Sequence, residues 1–147
     1  MSPHRVPTSG AGARQFGGRW NSPDSFPVIY TAISEETARA EFIRLAARSN
    51  RNIAEFLPRY LYTLEVNLTS LLDLRPGNAL RTVNLAVDDM FADDLRSCQL
   101  VGDAAHKLGR EGILAPSATS TGPVLAIFEL NLHAKSVVRP QGYIEWP

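Results

Sequence analysis

Cysteine is almost missing from this chain: Cys98 is the single one in 147 residues. That excludes an internal disulfide, denies the chain a usual zinc set, and points to a reducing compartment. Long apolar runs are missing as well. None approaches the roughly 18 residues that a membrane-spanning helix needs. The opening Met1-Ser2-Pro3-His4-Arg5 lacks the apolar core of a secretory signal, so a cytoplasmic protein is expected. Charge of one sign is not in excess either, since 15 basic and 15 acidic residues cancel. This removes the electrostatic basis for direct nucleic-acid binding or for an anionic membrane as partner. The three histidines, His4, His106 and His133, have no metal spacing. Asp88-Asp89 and Asp93-Asp94 would spread around a helix as a solvated face, so no metal is expected. Gly10 to Gly18 lacks the Gly-Lys-Ser/Thr ending of a phosphate loop.

What the chain does have is an ordinary globular composition, 44% apolar and 20% charged, enough for one well-cored domain over residues 1–147. No repeat, low-complexity run or linker divides it. Its chemistry concentrates in Gly17-Gly18-Arg19-Trp20-Asn21 and in Phe26-Pro27-Val28-Ile29-Tyr30. Two glycines allow close approach to the backbone. Arg19 supplies a guanidinium fork suited to a phosphate. Tyr30 ends a short apolar run that reads as a buried strand.

Residues 1–25, with three prolines and four glycines, read as a long loop with a short strand near Arg5-Val6. Val28 to Ala32 is the first strand. Ser34 is placed as the N-cap of a helix opening with Glu35 and Glu36, whose inward stripe is Ala38, Phe42, Leu45 and Ser49. Asn50-Arg51-Asn52 ends it. Glu41 falls at the edge of that stripe, roughly 80° from its centre, where a carboxylate can face a cleft. Tyr60 to Leu68 alternates as a strand, and Leu71 to Leu74 is a second short piece. Residues 80–109 read as helical in two parts, with Gly109 as a C-cap. Gly112 to Ser117 reads as a strand running into a polar turn, and Val124 to Leu132 as another. Val137-Val138 and Tyr143-Ile144 read as edge pieces around Pro140 and Gly142. The irregular interleaving predicts an α+β fold.

Arg5, GGRWN at 17–21, VIY at 28–30, ARAE at 38–41 and EGILAPSA at 111–118 occur in an order that resembles the RES domain family. The resemblance runs from Arg5 to about Glu129. It implies an ADP-ribosyltransferase-like fold in which two small sheets and flanking helices form an NAD cleft. It implies the toxin half of a bacterial toxin–antitoxin pair, with an Xre-type helix-turn-helix antitoxin as partner and a homodimer within the complex. The implied activity is NAD consumption by hydrolysis or phosphorolysis, or ADP-ribosylation of a protein; a non-catalytic interaction module is the remaining alternative.

By position, Arg5 and Arg19 match the family's arginines, Tyr30 its strand tyrosine, Glu41 its helix glutamate and Ser117 its serine. Cleaving the nicotinamide–ribose bond passes through an oxocarbenium-like state. With the resemblance, Glu41 is expected either to stabilise the developing positive charge or to hold a ribose hydroxyl, Arg5 and Arg19 to bind the pyrophosphate, and Tyr30 or Trp20 to face the nicotinamide ring. Ser117 hydrogen-bonds ribose or carboxamide, and Asn21 joins the binding set. Ser117 is not read as a nucleophile, because no Gly-x-Ser-x-Gly elbow surrounds it. Each residue also has an ordinary reading: Arg19 in a surface ion pair, Glu41 paired with Arg44 along its helix, Tyr30 in the core, Ser117 in a plain turn.

Overall fold

β5, Pro123–Phe128, is apolar at every position, a run that fits a strand covered on both faces. The computed structural model, which describes residues 8–48 and 59–146, places it inside a four-stranded sheet. Arg5 and the helix end expected at Asn50-Arg51-Asn52 lie outside the described residues. β1, Val28–Ala32, runs antiparallel to β5 with Val28 opposite Phe128. On its other side β5 pairs with β4, Gly112–Pro116, also antiparallel. β3, Leu71–Asp73, lies parallel to β4, so both strands end at the same edge of the sheet. The sheet order is β1-β5-β4-β3.

The alternation of side chains sends the strands into two cores. Val28, Ile113, Ala115, Ala126 and Phe128 join a cluster that includes Trp20, Met90 and Cys98. Ile29, Leu125 and Ile127 face the opposite way, against Leu64, Val66 and Val138. Those last three belong to a second sheet made of β2, Arg59–Asn67, and β6, Val137–Trp146. Full burial of each such side chain contributes roughly 1.5–3 kcal/mol. The expectation of two small sheets with helices in an α+β arrangement is met.

Several elements depart from the sequence reading. Inside the expected N-terminal loop, Ala11–Phe16 forms a short helix, α1. α2 spans Glu35–Arg48, and Ser34 does cap it: the Thr37 amide donates to Ser34 Oγ at 3.1 Å. Its inward face differs, however, because Leu45 is 55% exposed while Thr37 is fully buried. The expected helical stretch 80–109 breaks into α3, Ala79–Thr82, a 3-10 turn at Val87–Met90, and α4, Arg96–Lys107. Asn84 takes a left-handed backbone, φ 61°, which stops the first piece. Gly109 follows α4 in that conformation too, with its amide on His106 O and the Arg110 amide on Ala105 O. β5 ends at Phe128 rather than at Leu132, because Glu129 and Asn131 turn to polar partners: Gly10 N–H for the first, His106 O and Arg110 O for the second. The two expected C-terminal edge pieces are one strand. Leu64 faces Pro140 and Thr63 faces Gly142, so Gln141 bulges out and the proline fits a two-stranded ribbon.

Just before β4 sits Glu111, fully buried. Its carboxylate accepts from Thr69 N–H, Thr69 Oγ1, Ser70 N–H, His133 N–H and Ser136 Oγ. Burial pushes its pKa up, but those hydrogen bonds outweigh burial and hold it at about 2. It ties β4 to the segments leading into β3 and β6. Among the described residues, no helix is long and apolar enough to cross a membrane.

Candidate active site

The GGRWN segment folds as a tight turn around the hydroxyl of Tyr30. Gly18 N–H donates to Asn21 O at 2.9 Å and closes the turn. Tyr30 Oη accepts from Trp20 N–H at 2.9 Å and donates to Asn21 Oδ1 at 2.6 Å. Asn21 Nδ2 in turn donates to Ala13 O and Phe26 O. A Cβ on Gly18 would sit 2.6 Å from the Tyr30 ring, so only glycine fits there. On the other side, α4 presses Gly102 against the Trp20 carbonyl, and Gln99 Nε2 donates to Gly18 O. Burial of the hydroxyl raises the Tyr30 pKa, against the opposing effects of Trp20 N–H and the Arg19 charge. The residue as a whole is 40% exposed.

Two of the expected binding residues are corrected by this geometry. Trp20 is 1% exposed and lies in the core, so its ring has no face for a ligand. Asn21 is fully buried, and its amide is used in holding the turn. Both residues build the turn from which Arg19 projects.

Arg19 Nη1 donates to Asp89 O at 2.8 Å, and Nη2 to Ala92 O at 3.2 Å. The fork expected to be free for a phosphate therefore already spends one N–H from each terminal nitrogen on main-chain carbonyls. Nη1 also reaches Cys98 Sγ at 4.0 Å, which leaves Nε–H and the second hydrogen of Nη2 without a partner among the described residues. Arg44, on α2, donates to Phe91 O at 3.3 Å and pairs with Asp93. Burial lowers the Arg44 pKa, and the neighbouring charges of Arg48 and Arg19 lower it further; Glu41 and Asp93 act in the opposite sense. This places both Arg19 and Glu41 within electrostatic reach of Arg44. Cys98, expected in the core, is buried beside Arg19. Asp89 caps the Ala86 amide, and Asp93 and Asp94 pair with arginines. Among the described residues, no group of three or more His, Cys, Asp or Glu is arranged to hold a metal.

Ser117 lies 76 positions beyond Glu41 in the chain, yet its Oγ donates to Glu41 Oε1 at 2.5 Å. The end of β4 and the inward side of α2 create this contact. Ser117 is 1% exposed. Its Oγ also accepts from Thr119 N–H and lies 2.7 Å from Thr119 Oγ1. From there hydroxyl contacts run on through Thr121 and Thr37 to Ser34. A row of side-chain oxygens thus links the cap of α2 to Glu41. Ser117 N–H on Gly122 O closes the intervening turn.

Beside this pair opens a cleft of about 320 Å³ lined by Arg75, Phe91, Pro116, Ser117, Ser120 and Pro123 among others. Arg75 stands at the end of β3 and is paired with Asp73 at 2.8 Å. The structure joins Glu41 to Ser117 directly and sets Arg19 beside Tyr30, with Arg44 within electrostatic reach of both Arg19 and Glu41. The sequence reading missed Arg44, Phe91, Thr119 and Thr121. The alternating hydroxyls Ser117, Thr119 and Thr121 were the available signal; nothing in a single sequence marked Phe91.

A family model described as "RES domain" matches residues 2–147. The protein named NAD(+) phosphorylase MbcT from Mycobacterium tuberculosis is 40% identical over 128 residues, covering 86% of this chain and 69% of that protein. The protein of the same name from Mycobacterium bovis gives the same figures, 40% over 128 residues. Among solved structures, a chain of the crystal structure of the M. tuberculosis MbcT–MbcA toxin–antitoxin complex superposes with a TM-score of 0.90 at 34% identity, covering 99% of this chain and 80% of that one.

Proposed function

Since this chain belongs to the RES domain family, we propose that it is an enzyme that consumes NAD by breaking the nicotinamide–ribose bond, with inorganic phosphate as acceptor. The observation that carries the reading is the Glu41–Ser117 contact beside an open cleft, in a chain 40% identical to proteins named NAD(+) phosphorylase. A phosphate oxygen bonds to ribose C1′ while the C1′–nitrogen bond breaks. The bond's electron pair leaves with nicotinamide and cancels the ring's positive charge. The products are nicotinamide and ADP-ribose 1-phosphate.

In this scheme Glu41 faces the positive charge that grows on the ribose in the transition state. Ser117 fixes the rotamer of Glu41 through Oε1 and is not itself attacked. Tyr30 offers its ring to the cationic nicotinamide. Arg19 and Arg5 supply positive potential to the pyrophosphate, Arg19 through the N–H groups its carbonyl partners leave over. The two sheets would wall an NAD cleft of the ADP-ribosyltransferase type, within a single RES domain over residues 1–147. The protein acts in the cytoplasm as a toxin held in check by an Xre-type helix-turn-helix antitoxin, in a complex where it forms a homodimer.

The test is to incubate the purified protein with NAD, with and without phosphate, and identify products by mass spectrometry. ADP-ribose 1-phosphate formed only with phosphate is the expected result. Nicotinamide release without phosphate would change the acceptor to water, and unchanged NAD in both arms would overturn the activity.

A further inference from the structure

Phe91 has no part in the scheme above, yet it is 43% exposed while its neighbour Met90 is 1% exposed. The segment that carries it has little secondary structure, being the end of a 3-10 turn. It is nevertheless fixed by three guanidinium groups. Arg19 binds the carbonyls of Asp89 and Ala92, Arg44 binds the Phe91 carbonyl, and Arg44 and Arg48 both pair with Asp93. Met90 anchors the same segment in the core. An exposed loop that merely connects two helices has no need of such restraint. The restraint acts on the backbone on both sides of one apolar ring, and that ring lines the cleft together with Pro116 and Pro123, next to Ser117.

Phenylalanine and two prolines offer flat, rigid apolar surface and no hydrogen-bond donor. That part of the wall offers no hydrogen bond to a phosphate or a sugar and suits a flat aromatic ring, while Arg75 and Ser120 supply the cleft's polar lining. We propose that Phe91 is the platform on which one of the two heterocycles of NAD lies, with Pro116 and Pro123 completing the slot. This assignment rests on the NAD-consuming activity. It gives Arg19 and Arg44 a role in holding the ring's backbone, and it adds to the cleft an element that no family motif in the sequence carries.

The experiment compares Phe91→Ala, Phe91→Leu and Phe91→Tyr with wild type on two substrates, NAD and nicotinamide mononucleotide, which lacks the adenylate half. Phe91→Ala should raise KM for NAD and lower kcat/KM about 10- to 100-fold, the scale of one base–aromatic stack. Phe91→Leu keeps bulk without the π-face and should lose nearly as much, whereas Phe91→Tyr should stay within about threefold of wild type. If the adenine is the ring held, nicotinamide mononucleotide turnover is indifferent to all three changes. If nicotinamide is held, both substrates lose equally. Wild-type NAD kinetics in folded Phe91→Ala would overturn the platform while leaving the activity standing. The same result with weaker inhibition by a co-expressed antitoxin would reassign Phe91 to the partner interface. A wild-type protein that neither binds nor cleaves NAD would overturn the activity and the platform together.

Discussion

The two ends of β4 hold two glutamates used in opposite ways. Before the strand, Glu111 is fully buried and accepts five hydrogen bonds from two separate segments, Thr69-Ser70 and His133–Ser136. Beyond the strand, Ser117, which lines a cleft, meets Glu41, whose carboxylate accepts one hydrogen bond from the described residues. The first carboxylate has no lone pair to offer, and its negative charge is consumed in joining strands. The second is held by one donor and keeps the rest of its accepting capacity. Within five residues of backbone, the same strand is anchored by one carboxylate and aims another. The number of donors on each acid is what separates Glu111 from Glu41.

Neutralising the two acids should break them differently. Glu41→Gln should reduce NAD turnover by roughly 10²–10³, the scale of losing one preorganised electrostatic group, with a melting temperature close to wild type. Near-normal nicotinamide release, or loss that follows unfolding, would remove Glu41 from the chemistry. Glu111→Gln should leave an amide N–H₂ facing donors and destabilise the fold on the order of 3 kcal/mol, read by urea denaturation. A fully stable mutant would show that the five bonds contribute nothing net.

The same contrast has a pH signature. Glu111 falls from an ordinary 4.5 to about 2 on folding. A lowered folded pKa means its contribution is complete above 4.5 and is lost as pH drops toward 2. The stability gap between wild type and Glu111→Gln should therefore narrow across that window, and a gap independent of pH would contradict the assignment.

Smaller effects sharpen the picture at the open end. Ser117→Ala leaves the Glu41 charge in place but frees its rotamer, so turnover should fall about ten- to hundredfold, less than for Glu41→Gln. An equal loss would mean that Ser117 contacts the substrate itself. Tyr30→Phe deprives Trp20 N–H and Asn21 Oδ1 of their partner, for about 1–2 kcal/mol and a few degrees in melting temperature. An unchanged melt would show that the hydroxyl does not organise the turn.

Much of the fold was legible because local chemistry and final position agree. β1 and the Ser34 cap of α2 follow directly from an apolar run and an N-cap residue. The site was partly legible: Arg19, Tyr30, Glu41 and Ser117 were singled out by motif. What they touch was not, since those contacts join distant segments. Trp20 has the same type of ring whether it faces a ligand or the core, and only packing against α4 decides. Arg19 was read by what a guanidinium can bind, but carbonyls 70 and 73 positions away took part of its fork. Pro140 made one strand look like two, because a bulge that accommodates proline leaves no mark in a hydropathy pattern. Leu45, read as inward, shows that an apolar period alone does not choose which face of a helix is covered.

The position of β1 at the sheet's edge sets a clock on the molecule's own birth. Its strand partner is β5, and Val28 pairs with Phe128. The Glu41–Ser117 contact likewise waits for the far end of β4. At 5–20 residues per second, the interval between synthesising Val28 and Phe128 is on the order of 5–20 s. For most of it Glu41 is on the nascent chain without Ser117 to meet it. A chain interrupted before β4 therefore has neither the Glu41–Ser117 contact nor the strand that covers β1.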